Sequence, residues 1–160
     1  MNHNNLKNYT PNKPMNIKDI KKWFEIAIPE PTIEQACIQI GCHAEECAEM
    51  FESIDDRDAM LDIDYVAKRY KSQHDELLFK LYDATKQTRI DLLDSLCDQI
   101  VTAIGVAHML GMDIDGALEE VNRSNHSKFE DGAAVFDNNG KITKGKHYGK
   151  PELSKFIGVK

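Results

Sequence analysis

The segment from Gln87 to Leu110 constrains this chain more than any other. It contains no proline, and it stops at Gly111, a residue suited to closing a helix. From Gln99 to Met112 it carries no Asp, Glu, Lys or Arg. Ile100, Val101, Ala103, Ile104, Val106, Ala107, Met109 and Leu110 place apolar groups on nearly every side of such a helix. A helix apolar all round is expected to be buried. Asp91, Asp94 and Asp98 precede that stretch at i, i+3 and i+7, on one narrow stripe. Aspartate is a poor helix-interior residue, and like charges one turn apart repel. Something must offset the row. The candidates are a divalent cation or a basic partner such as Lys80, Lys86 or Arg89.

The rest of the chain also reads as helix. Asn16 is placed to cap a helix over residues 17–27, with Ile17, Ile20, Trp23, Phe24 and Ala27 inward. Pro29 and Pro31 stop it. Thr32 and Gln35 form a capping-box pair that opens a helix to about Ile54. Its apolar stripe is Ile33, Cys37, Ile40, Ala44, Cys47 and Phe51. Residues 55–64 are acidic and irregular in pattern, and a third helix is expected over 64–84. The long segment above is the fourth, and a fifth runs from about Asp113 to 126. Asp137-Asn138-Asn139-Gly140 between Val135, Phe136 and Ile142 signals a small hairpin. The expected fold is all-α: a bundle of four or five helices with a short irregular or hairpin C-terminal arm from about residue 127. Residues 1–15 are expected to be a flexible tail and 16–160 a single domain, a length sufficient to bury a core.

Charge is segregated. Residues 1–29 hold five basic and two acidic residues, net +3. Residues 30–121 hold seven and 21, net −14, and residues 122–160 hold eight and four, net +4. The total of −7 argues against a dedicated binder of long nucleic acid. No apolar run approaches the ~20 residues of a membrane span, so no membrane partner is expected. The polar start, Met1 to Pro14, lacks a signal core, so a cytoplasmic location is expected. Cys37, Cys42, Cys47 and Cys97 form no Cys-x-x-Cys pair, which disfavours thiolate zinc and suits free thiols.

A second group of acids lies in the second helix, at Glu45, Glu46 and Glu49. Glu46 and Glu49 are i, i+3 and fall opposite the apolar stripe, as in a solvated face or half of a metal site. Carboxylates without His or Cys suit Mg²⁺ or Mn²⁺. No Glu-x-x-His occurs, which disfavours a di-iron bundle. Mg²⁺ held by carboxylates commonly meets phosphates. Arg123, Lys128, Lys141, Lys144 and Lys146 are candidates to neutralise phosphate oxygens, or they are a solvated basic tail. Asn122 and Asn125, one turn apart, would bind a ribose or base edge, or cap the helix.

These residues resemble the MazG-like, all-α nucleoside triphosphate pyrophosphohydrolases, including their phosphoribosyl-ATP pyrophosphohydrolase-like phage relatives. Glu45, Glu46 and Glu49 match a Glu-Glu-x-x-Glu motif. Asp98 matches the Asp of a Glu-x-x-Asp motif, followed by the apolar helix, Leu110-Gly111-Met112-Asp113, and a helix through Ala117 to Asn122. Arg123 to Lys128 and Gly140 to Tyr148 look like the phage-type C-terminal signature. The resemblance spans residues 20–153. One position departs: the family's Glu is Ser95 here, and Asp94, still on the same face as Asp98, is the expected replacement. Asp91 would reach a second ion.

The resemblance implies Mg²⁺-dependent hydrolysis of a ribo- or deoxyribonucleoside triphosphate to monophosphate and pyrophosphate. Glu46, Glu49, Asp94 and Asp98 would hold the metal, and Glu45 would support it or orient water. Asn122, Asn125 and Lys128 would grip the nucleotide. Lys144, Lys146 and Tyr148 would close over phosphate or base. Family members are homodimers or homotetramers, of bacterial or phage type. The alternatives are phosphoribosyl-ATP pyrophosphohydrolase and a non-catalytic helical bundle that binds nucleotide.

Overall fold

A computed structural model describes residues 17–138 and 140–158. The Asn16 cap and the tail of residues 1–15 lie outside these. The described chain is all-helical: α1 Ile17–Ala27, α2 Ile33–Glu52, α3 Arg57–Lys71, α4 Asp75–Tyr82, α5 Lys86–Met109 and α6 Ile114–His126. A short 3-10 turn follows at Ser154–Phe156. The all-α expectation holds, with six α-helices among the described residues where four or five were expected. No described helix is long and apolar enough to cross a membrane.

The extra helix comes from residues 55–84. Asp56 and Asp58 sit at the N-cap and first turn of α3, where negative charge is favoured, and the Asp56 side chain accepts from the Ala59 N–H. The acidic stretch is therefore a helix start. The expected single helix over 64–84 breaks at Ser72-Gln73-His74, where Gln73 takes a φ of 52°. Lys68, Arg69 and Lys71 favour the end of α3 there.

The chain forms two compact units, each described by itself. One contains residues 30–93 and 137–141. Here α2 packs on α3 and α4. The Thr32–Gln35 capping box is formed in both directions. The buried face of α2 is Cys37, Ile38, Gly41 and Ala48. It is rotated from the expected stripe, because small residues rather than bulky ones admit α3. A Cβ on Gly41 would lie 2.8 Å from the Ala67 carbonyl oxygen and from the Lys71 backbone nitrogen. Glu45 consequently falls beside α3. Tyr82 of α4 donates its hydroxyl to Glu34 of α2 at 2.5 Å.

The other unit contains residues 17–29, 94–136 and 142–158 of the described chain. Trp23 and Ala27 of α1 are buried with Phe129, and the Trp23 and Phe129 rings stack at 5.6 Å. α1 packs on α6. α5 ends in a Schellman arrangement: Gly111 N–H donates to His108 O and Met112 N–H to Ala107 O, with Gly111 at φ 71°. The Asp113 carboxylate accepts from Gly116 N–H to start α6. Phe156 O accepts from Asp113 N–H and its ring fills the space beside Gly116, fixing the 3-10 turn there. The expected hairpin is reduced to a single antiparallel bridge between Phe136 and Ile142.

α5 corrects one expectation. Only Ala107 of it is buried. Ile100, Val101 and Met109 are 47%, 65% and 84% exposed. α5 belongs to none of the closely packed helix pairs among the described residues. The described residues do not supply the cover that so apolar a helix calls for.

Candidate functional site

Glu45 is held by two lysines. Its Oε1 lies 2.5 Å from Lys71 Nζ and its Oε2 2.6 Å from Lys141 Nζ. Burial disfavours the carboxylate charge, but hydrogen bonds from Lys141 and Lys71 outweigh that and hold Glu45 below its usual range. The bond to Glu45 in turn raises Lys141 against the effect of burial. Burial, only partly countered by Lys141 and Lys71, pushes the neighbouring Cys42 thiol up, so it stays protonated at neutral pH. Lys71 was missed by sequence reasoning. Its signal would have been Gly41, whose missing side chain marks where α3 approaches α2.

Glu46 and Glu49 are exposed on α2, as their spacing requires. Asp91, Asp94 and Asp98 are exposed on α5. Asp91 accepts from Gln87 Nε2 at 2.7 Å. The basic partners proposed for this row do not meet it: Lys80 pairs with Glu76, and neither Lys86 nor Arg89 forms an ion pair among the described residues. The donors are all oxygen and suit a hard divalent ion. Even so, no group of three or more metal-ligating His, Cys, Asp or Glu side chains is assembled among the described residues.

The nucleotide-binding candidates divide. Asn122 is buried at 5% exposure, so in this conformation its amide is withdrawn from solvent. Asn125 is half-buried at the end of α6. Lys128 Nζ lies 5.9 Å from the centre of the Trp23 ring. The Trp23 indole N–H is buried with no hydrogen-bond partner among the described residues. His126 packs edge-on to Phe129, and burial and Lys22 hold its pKa below the usual value against the pull of Asp19.

In the arm, Lys144 Nζ sits 5.0 Å from the Tyr148 ring centre. Lys146 donates its backbone N–H to Glu130 Oε1 at 2.6 Å. Arg123 makes a two-pronged bond to Glu120 and reaches the Lys150 carbonyl. With the Glu152 N–H also donating to it, Glu120 is held down at about 2. Of the five basic candidates for phosphate, Arg123 and Lys141 are thus engaged by carboxylates and Lys146 lies 3.8 Å from one. Lys128 and Lys144 are over aromatic rings.

No protein-family model, curated protein or solved structure matches this chain.

Proposed function

We propose that this chain is a MazG-like, Mg²⁺-dependent pyrophosphohydrolase of nucleoside triphosphates. The observation that carries the reading is the row Asp91, Asp94 and Asp98 on α5, three carboxylates on one stripe that no Lys or Arg among the described residues offsets. Exposed Glu46 and Glu49 on α2 supply acids of the same type. Glu46, Glu49, Asp94 and Asp98 are the assigned Mg²⁺ ligands, with Mn²⁺ as the chemical substitute. Bound Mg²⁺ would neutralise charge on the phosphoanhydride. Water would add to the α-phosphorus, its proton passing to solvent, as the bond from that phosphorus to the α–β bridging oxygen breaks; pyrophosphate is the leaving group and the monophosphate remains.

Of the five basic candidates, Lys128 and Lys144 are best placed to meet phosphate, because neither is paired with an acid among the described residues. Tyr148 offers a ring for a base or sugar, and Lys146 and Asn125 lie on the same arm and helix end. Asn122 takes part only if its buried amide opens toward the ligand. Glu45 is assigned to holding Lys71 and Lys141 rather than to the metal. The protein is assigned to the cytoplasm and to a homo-oligomer.

The test is pyrophosphate release from a panel of ribo- and deoxyribonucleoside triphosphates with Mg²⁺, run beside phosphoribosyl-ATP. Asp98→Asn and Glu49→Gln should each abolish turnover while the protein stays folded. Folded wild-type protein that cleaves none of the panel defeats the proposal. A second reading, nucleotide binding without cleavage, is favoured by the lack of a three-acid cluster among the described residues. Mg²⁺-dependent triphosphate binding with no product identifies that outcome.

A further inference from the structure

The arm runs back along α6, and its backbone is bonded to one line of side chains there. Gly149 donates its N–H to Ser127 Oγ at 2.8 Å. The Lys150 carbonyl accepts from Arg123 Nη2 at 3.2 Å. Glu152 donates its N–H to Glu120 Oε1 at 2.9 Å. As the arm advances from 149 to 152, the contacts step back along α6 from 127 to 123 to 120. Those steps of four and three keep to one face of the helix.

Arg123 stands at the middle of this line. Its Nε and Nη2 donate to the two oxygens of Glu120 at 2.8 and 2.7 Å. A two-pronged bond of that kind fixes the plane of the guanidinium. The second hydrogen of Nη2 is then aimed at the Lys150 carbonyl, and Nη1 lies so near Gly149 that a Cβ there would come within 3.3 Å of it. Tyr148 precedes this fixed point. On its other side its N–H donates to the Gly145 carbonyl at 3.1 Å and closes a turn. The Tyr148 ring, with Lys144 Nζ 5.0 Å from its centre, is therefore carried on backbone held from both ends. A lysine at 123 would keep the charge but lose the fork that reaches carboxylate and carbonyl together.

We propose that Arg123 is a positioning residue: held flat by Glu120, it sets where Tyr148 presents its ring, and with it the preference for triphosphates that carry a base. The proposal rests on the pyrophosphohydrolase reading, in which Tyr148 receives the base or sugar. Arg123 acts through the arm and is withdrawn from the candidates for phosphate.

The test compares nucleoside triphosphates with methyl triphosphate, which has the same phosphates and no base. Losing one base–aromatic stack should raise KM for the nucleoside triphosphates about tenfold in Arg123→Met. Its kcat should stay close to wild type, because binding common to ground and transition state is what is removed. Methyl triphosphate should turn over as before. Arg123→Lys should not restore KM, and Tyr148→Ala should match Arg123→Met. The double variant should be no worse than either, since both changes remove one interaction. Circular dichroism checks that each variant is folded. Should Arg123→Met not fold, Glu120→Gln loosens the same guanidinium and should move KM in the same direction. A folded Arg123→Met that loses kcat instead, or that weakens methyl triphosphate equally, overturns the assignment and leaves the pyrophosphohydrolase reading standing. So does a double variant whose losses add. Folded wild type that turns over none of the panel defeats that reading and the proposal with it.

Discussion

Glu45 ties together two residues far from it in sequence, Lys71 on α3 and Lys141 in the 137–141 turn. The ion pairs are partly shielded from water, so they outrank the surface pairs Lys21–Glu25 and Lys80–Glu76. Glu45→Gln should cost about 1–2 kcal/mol in denaturant unfolding near neutral pH, the low end for hydrogen bonds to charged groups because the pairs are partly exposed. The sign with pH follows from the lowered pKa. The bonds contribute fully above the unfolded carboxyl value of 4.5 and are lost as pH falls through the lower folded value. The gap between wild type and Glu45→Gln should therefore close in acid. A gap that is constant with pH would show that the carboxylate charge is not what Glu45 contributes.

α2 and α3 meet through small residues. Gly41 and Ala67 are buried at the contact, and Lys71 Cγ would lie 2.7 Å from a Cβ on Gly41. The lysine stem can move aside, but the Ala67 carbonyl and the Lys71 backbone cannot without parting the helices. Gly41→Ala should destabilise by about 1–3 kcal/mol, the usual cost of overpacking, despite its better helix propensity. A lower thermal midpoint checks it, and an unchanged or higher one would mean the helices part freely. The same contact explains what sequence could reveal. Helix starts were legible at Thr32 and Asp113, where a short polar side chain caps them, and so was the glycine stop at Gly111, but the Asp56 cap of α3 was hidden in an acidic stretch. The inward face of α2 was not legible, because a glycine scores as nothing in a hydrophobic pattern and yet sets the closest approach. The break at Gln73 was hidden because Leu77, Leu78 and Leu81 continue the period across it. The acidic stripes of the candidate site were legible as spacing along single helices. The engagement of Glu45 by Lys71 was not, since it depends on which faces meet.

Across the whole chain the charges are sorted. The stretch from residue 30 to 121 carries net −14, and both flanks are basic. Like charges in that stretch oppose folding at low salt, so general screening should raise stability modestly with any electrolyte. A divalent ion held by Asp94 and Asp98 would act differently, by binding the folded state alone. At about one hundred times its dissociation constant such a ligand adds roughly 2.7 kcal/mol. For a chain of this size that corresponds to a midpoint rise of about 5–10 °C. Mg²⁺ should therefore raise the melting temperature well beyond KCl of matched ionic strength. The variant Asp94→Asn with Asp98→Asn should melt slightly higher than wild type without Mg²⁺, since repulsion along the stripe is relieved, and should lose the specific increment with it. Equal responses to Mg²⁺ and to matched KCl would leave the stripe a solvated acidic face, with screening as the whole effect.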